Sequence, residues 1–492
     1  MDKHKSSVQY TNAGDEYFAK RGLRKYAGVW SLWALGVGAV ISGHYSGWNL
    51  GLASGGWGGM FVATIIIAIM YLGLTFSIAE MSPALPHTGA AYSFARTAMG
   101  PWGGFITGLF ENVEFILTPA VIVFFIGSYL TGIFETSAAI QPLWWIGGYV
   151  IFVGLNIVGV ELSFKVTLVV TLAALAVLIT FWSMALPEID FSRWALDIAA
   201  DGSRLDEGHG KFLPMGIGGA FAALPFAVWL FLAIEQLPLA AEESVDPQRD
   251  MPKGIILGMF TLVISAFLIL FLNPSLPGVG SHALGQSGEP LLDGFKALFA
   301  TSTAKMLALV AIVGLISSFH TIIFAQGRQI YSLSRAGYFP TFLSVTHGTR
   351  KTPHIAMMFG AITGLLIMLI IFVSRGAEAG STVIGGTLLN MAVFGAMCSY
   401  IAQAVSFILL RNHHAHIERP YRSPFGNPGA WVTIVIALVT IFYQLSDPTY
   451  RMGLLGVALW FGIAILYFAL IGRHKLVLSP EEEFAMQHRS ED

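Results

Sequence analysis

Glu111 and Glu114 stand three residues apart inside an otherwise apolar run, so a helix presents both carboxylates on one face. A charge at membrane depth costs roughly 3 kcal/mol or more and is seldom kept without a use. Two carboxylates that close do not both ionise unless a cation joins them, which suits either amine binding or proton carriage. Thr118 lies one turn beyond Glu114, so Glu114 and Thr118 are assigned to a pocket and Glu111 to a gate at the cytoplasmic end. The competing reading has both acids reaching water at the headgroups, because they fall only 10 and 13 residues after Pro101.

Bare backbone is the second source of chemistry. Ala39-Val40-Ile41-Ser42-Gly43-His44-Tyr45-Ser46-Gly47-Trp48 puts two glycines, two serines and a histidine at the centre of an apolar run from about Gly28 to Ala53. At ~1.5 Å per residue that run is long enough to cross a ~30 Å hydrocarbon layer. An unpaired amide or carbonyl in hydrocarbon costs several kcal/mol, so such a centre is tolerated only where it lines a cavity or packs in protein. The run reads as a helix broken at its middle. Free amides at a half-helix N-terminus favour anions, and free carbonyls at a C-terminus favour ammonium or sodium. Ser42 adds a hydroxyl, and His44 either meets substrate or proton or is satisfied by neighbouring carbonyls. A second break is expected over Gly216 to Trp229, where glycines, alanines and Pro225 interrupt another run. Trp229 would face a cation or act as a lid, against the plainer reading of a packing aromatic. For the glycines of both stretches, close helix packing is the alternative.

These residues need a membrane around them. Of 492 residues, 55% are hydrophobic and 11% charged, and mean hydropathy is +0.68; soluble domains carry roughly a quarter charged residues. The chain is therefore polytopic, with the lipid bilayer as a partner. A net charge of −2 gives no sign of nucleic acid, and one cysteine, Cys398, excludes an internal disulfide or a Cys-rich metal site. The run after Tyr26 is too long for a signal-peptide core and is expected to stay in the membrane.

Spanning runs fall at about 28–54, 57–79, 101–132, 143–160, 164–186, 217–240, 254–273, 305–331, 354–373, 382–410, 430–446 and 452–472, twelve in all. Placing the N-terminus in the cytoplasm puts 20 of the 27 Lys and Arg on that side, so both termini are expected inside, in an inner (plasma) membrane. The breaks fall in the first and sixth spans, the corresponding members of two sets of five. That is the pointer to an inverted repeat with a binding site at the midplane. The predicted architecture is all-α: a cytoplasmic segment 1–27, five-helix repeats 28–186 and 217–410 joined by an outer loop 187–216, helices 11 and 12 within 430–472, and a tail 473–492.

Four stretches resemble the amino acid, polyamine and organocation (APC) transporter superfamily: the break Val40 to Trp48; Ala79 to Tyr92 followed by Gly100-Pro101-Trp102-Gly103-Gly104; Trp229 to Glu235 with Glu242 to Lys253; and Arg328 to Pro340 running to Thr352-Pro353. Together they cover nearly the whole chain. Within it the sequence looks most like bacterial ethanolamine permeases, on Ile41-Ser42-Gly43, Gly47 to Ala53 leading into Gly55-Gly56-Trp57-Gly58-Gly59-Met60, and Glu111 to Val123. His44 stands where that group usually has aspartate. The resemblance implies that Val40, Ser42, Gly43 and His44 with Trp229, Phe231 and Ala233 surround a small amine or zwitterion. It implies a gate or proton-sensing role for Glu235, and it puts Ser317 and Ser318 where the shared fold holds sodium ligands. A lysine used by some proton-coupled relatives in the fifth helix is absent from Val166 to Leu186. The coupling ion is thus left as proton or sodium.

The expected function is import of ethanolamine by alternating access, with a small amino acid as the alternative that His44 favours. A membrane-embedded metal enzyme trails, since no paired His and acid residues occur at helical spacing inside spans. No catalytic residue, metal or other cofactor is expected, and the assembly is a monomer or homodimer. His413-His414-Ala415-His416 reads as a basic loop, His320 as a core histidine and Cys398 as a small apolar residue.

Overall fold

Glycines that adopt positive φ decide where one span ends and the next begins. The helix Leu50–Ala84 turns at Gly56 (φ 67°) and the helix Ala90–Phe134 at Gly100 (φ 83°), backbone that costs glycine little and other residues much. Residues 50–55 thus end span 1, 57–84 form span 2, 90–99 are a short helix before the bilayer, and 101–134 form span 3. Gly58 is fixed for another reason: a Cβ there would sit 1.9 Å from the carbonyl oxygen of Phe212. The Gly-rich segment around Trp57 is where the loop 187–216 presses on span 2, with Phe191 and Phe212 edge-on to the indole.

The computed structural model describes residues 8–11, 13–376 and 379–489; residues 1–7, 12 and 490–492 of the expected terminal segments lie outside them. The remaining spans are Gln141–Val158, Val160–Ala185, a broken span 6, Pro247–Leu272, Thr301–Arg335, His354–Arg375, Gly386–His413, Gly426–Ser446 and Arg451–Leu470. Eleven helical segments among the described residues are long and apolar enough to cross a membrane. The interrupted span 1 is the remaining expected crossing. Spans 3, 6 and 8 form the buried centre, while spans 4 and 12 turn residues such as Val150 and Leu459 outward, as lipid-facing helices do.

Span 1 consists of Val29–Val40, a single turn Ser42–Tyr45 and, after extended Ser46 and Gly47 (φ 95°), residues 50–55. Span 6 consists of Gly216–Ala222, Leu224–Trp229 and the 3₁₀ helix Ile234–Glu243. Its interruption falls at residues 230–233, where Ala233 is left-handed (φ 84°). This corrects the expected position. Of the glycines before Trp229, Gly219 serves close packing, since a Cβ on Gly55 would lie 2.7 Å from its carbonyl oxygen, while Gly216 turns the chain into the helix at φ 63°. Beyond the spans, Gly280–Leu284 and Pro290–Leu298 form a lid on one face. On the other, strand Tyr10–Thr11 pairs in parallel with Leu476–Val477, and helix Pro480–Arg489 follows.

Candidate functional site

The two breaks cross each other in contact. A Cβ on Gly43 would meet the Trp229 carbonyl oxygen at 2.3 Å, so the crossing tolerates no side chain there. Trp229 donates its indole N–H to the Ser46 carbonyl at 3.0 Å, plugging the gap in span 1. His44 is fully buried, beside the Leu230 backbone, with Nδ1 3.3 Å from Ser265 Oγ of span 7. It therefore packs the crossing against span 7. Val40 and Ala233 are buried at the crossing, and the Phe231 ring lies 5.5 Å from Tyr71.

The left-handed turn at Ala233 aims its N–H at both oxygens of Glu235, 3.0 and 3.1 Å away. Glu235 lies beside Glu114 and Tyr400, with Glu111 within electrostatic reach, and Tyr400 shares a 2.9 Å hydrogen bond with Tyr71. All five side chains are 2% exposed or less. Among the described residues the four carboxyl oxygens of Glu111 and Glu114 form no hydrogen bond. Among the described residues no lysine or arginine pairs with any of the three acids. Glu111, assigned from sequence to a gate at the cytoplasmic end, lies one helical turn from Glu114 and is as deeply buried, so neither reaches water. Thr118 spends its proton on the Glu114 carbonyl at 2.7 Å, as a helix hydroxyl commonly does. Tyr71 and Tyr400 escaped the sequence reading because aromatic residues in apolar runs carry no distinguishing pattern.

Ser318 bridges the span 1 break, accepting from the Ser42 N–H at 2.8 Å and donating to the Gly38 carbonyl at 2.6 Å. Ser317 Oγ lies 3.0 Å from Thr171 Oγ1, which donates to the Ala34 carbonyl at 3.1 Å. A Cβ on Gly38 would collide with Thr171 Oγ1 at 2.4 Å. Spans 1, 5 and 8 thus meet through an oxygen-rich group of the type a hard cation takes. Thr171 was the member unread in the sequence. His320, by contrast, is satisfied by Asn156 and Ser163 at 3.0 and 3.1 Å.

Both approaches to the crossing are closed. On the lid face, Asn49 Nδ2 donates to the carbonyls of Leu284 (2.6 Å) and Ser287 (2.9 Å). Tyr129 donates to the Tyr45 carbonyl at 2.8 Å and accepts from the Leu291 N–H at 3.1 Å. Burial beside Asp293 pushes the Glu289 carboxyl of this lid up to about 7, against the pull of Lys296. On the face that carries both termini, Glu482 accepts from Arg96, from Tyr10 at 2.6 Å, from Tyr92 at 2.7 Å and from Tyr338 at 2.9 Å. Its neighbour Glu481 pairs with Arg335, which also binds Glu242 of span 6 at 2.6 Å. Arg328 and Glu243 form a further, fully buried pair.

A family model described as amino acid permease matches residues 28–470. The chain belongs to the amino acid permease family. This permease, a member of the APC superfamily, is 24% identical over 462 residues to the branched-chain amino acid permease of Bacillus subtilis, covering 87% of this chain and 92% of that one. It is 24% identical to the L-asparagine permease of Salmonella typhimurium, over 93% and 94% of the two chains. A methylthioribose transporter of Bacillus subtilis is 22% identical, over 93% and 95%. The permease shares its fold with the crystal structure of the Eremococcus coleocola manganese transporter bound to an aromatic bis-isothiourea compound, at a TM-score of 0.50, 13% identity and 99% coverage of both chains. It is a multi-pass membrane transporter by family.

Proposed function

We propose that this permease imports a small amine-bearing solute, ethanolamine first, by alternating access between the lid face and the termini face. The observation that carries this reading is the acid cluster Glu111, Glu114 and Glu235, buried beside the span 6 break without a cationic partner among the described residues. Three carboxylates cannot all be ionised side by side in a dry interior unless a cation or protons join them. An ammonium group satisfies that demand, and between cargoes protons do. In this reading Glu114 meets the amine, Glu235 ties that meeting to the turn at Ala233, and Tyr71 and Tyr400 orient the acids. Protons are the coupling ion, with sodium at Ser317, Ser318 and Thr171 as the competitor. The excess of Lys and Arg on the termini side supports a bacterial inner membrane with both termini cytoplasmic.

A small amino acid is the second reading, favoured by the names of the relatives. An amino acid carries a carboxylate as well, which would take the Ser42 amide of the span 1 break in place of Ser318 Oγ. The deciding experiment is a thermal-shift screen of the purified protein against ethanolamine, choline, small amino acids and diamines, with and without sodium. A ligand at 100 times its Kd adds about 2.7 kcal/mol to the native state. Stabilisation by ethanolamine alone supports the first reading. Stabilisation by amino acids alone moves the substrate to the second, and a sodium-dependent shift replaces protons as the coupling ion.

A further inference from the structure

The face of the protein turned to lipid carries a groove that the transport site does not use. It holds about 640 Å³ between spans 3, 9, 10 and 12 and the segment after span 8, with walls that include Ile116, Phe359, Trp460 and Ile463. None of the lining residues is charged. Along span 12 it runs from Gly456 to Tyr467, eleven residues or about 16 Å. One leaflet of a bilayer supplies about 15 Å of hydrocarbon. The groove is therefore as long as one set of acyl chains.

At the termini face the groove meets a second hollow of about 700 Å³. Phe339, Pro340, Phe342 and Tyr467 line both, so the two are continuous. The chemistry changes at that boundary. Among the described residues Lys475 is the one charged group lining the second hollow, with Tyr17 and Thr341 as polar neighbours. A cation over polar groups, joined to an uncharged trough of leaflet length, matches one class of molecule.

We propose that this groove binds a phospholipid with an anionic headgroup, its acyl chain between spans 3 and 12 and its phosphate beside Lys475. The lipid would wedge the segment 337–342 against span 12 and brace the end of span 8, whose Arg335 holds the tail helix. The site is separate from the acid cluster.

Native mass spectrometry of the full-length protein, offered phosphatidylglycerol or phosphatidylcholine of equal chain length, tests this. Phosphatidylglycerol should be retained about 5-fold more, the equivalent of the ~1 kcal/mol one lysine contributes at an anionic surface. Lys475→Glu should erase the preference. Gly456→Leu should lower retention of both lipids, because a Cβ at Gly456 meets nothing within 4 Å and the larger side chain fills open groove without disturbing its neighbours. Equal retention of the two lipids by the unaltered protein would mean unselective boundary lipid and overturn the proposal. So would a preference that survives Lys475→Glu. Disulfide-linked dimers of Gly456→Cys in a Cys398→Ala background would give the groove to a second copy and overturn it too.

Discussion

The two faces of the permease close over the same crossing by different means. On the lid face Asn49 and Tyr129 hold residues 284–291 with neutral hydrogen bonds to backbone, each worth about 0.5–1.5 kcal/mol net. On the termini face Glu481 and Glu482, both buried, are held by Arg335 and Arg96. Neutral bonds to backbone are exchanged for water at small cost when a lid lifts. A buried carboxylate that leaves its guanidinium strands a charge, and that costs about 3–5 kcal/mol. The lid face is thus the lighter door, and the termini face stays shut until something replaces its charges.

The strongest way to break this contrast is Glu482→Gln. It leaves Arg96 unpaired and should destabilise the termini face by about 3–5 kcal/mol, read as faster hydrogen exchange over residues 90–99 with the lid unchanged. Comparable loosening of both faces would remove the asymmetry. Glu114→Gln should abolish amine uptake, at least 100-fold, while melting temperature holds or rises, since a buried acid without a partner is replaced by its neutral isostere; unaltered uptake kinetics would take Glu114 out of the site. On the other door, Asn49→Ala leaves the carbonyls of Leu284 and Ser287 unpaired, a cost of about 1–3 kcal/mol. Exchange over residues 280–298 should quicken there and nowhere on the termini face.

Acidity sharpens the comparison further. The Glu289 carboxyl stands at about 7 in the closed lid, above its ordinary value of 4.5. The closed lid therefore binds a proton that the open one releases, and its advantage is fully present below about 4.5 and lost as pH rises through 7. Exchange in the lid, corrected for intrinsic rates, should be faster at about pH 8 than at about pH 6, and Glu289→Gln should flatten that dependence. The smallest effect is expected from His44→Asp. Its side chain faces Ser265 and the Leu230 backbone, so substrate preference should shift by a few-fold at most, measured by competition between ethanolamine and small amino acids. A complete switch to ethanolamine would mean that the position reads the amine directly.

Much of this was visible in the chain before any coordinates. Helix-length apolar runs gave the spans, and the boundaries near 54 and 101 fell at Gly56 and Gly100 because only glycine turns there without strain. The break in span 1 was legible from Ser42, Gly43 and His44. The break in span 6 was read too early, at Gly216 to Trp229. Glycines that let helices touch and glycines that let backbone unwind look the same in sequence, and the residue that takes the left-handed turn is an alanine, Ala233. Acids inside spans announce themselves by their cost, which is how Glu111 and Glu114 were found. That Glu111 would lie with Glu235 depends on how spans 3 and 6 pack, which no spacing along one helix contains. The lid and the tail contacts were unreadable for the same reason: Arg96 and Arg335 looked like ordinary cytoplasmic cations until their partners arrived from the far end of the chain.

That distance bears on how the molecule is made. Tyr10 and Glu482 are bonded across 472 positions, so nearly every span must be inserted before the first strand finds its neighbour. During synthesis Arg96 and Arg335 thus stay without Glu482 and Glu481 until residues 480–489 are made. A protease that clipped them afterwards would leave an inserted, helical protein that has lost its lock.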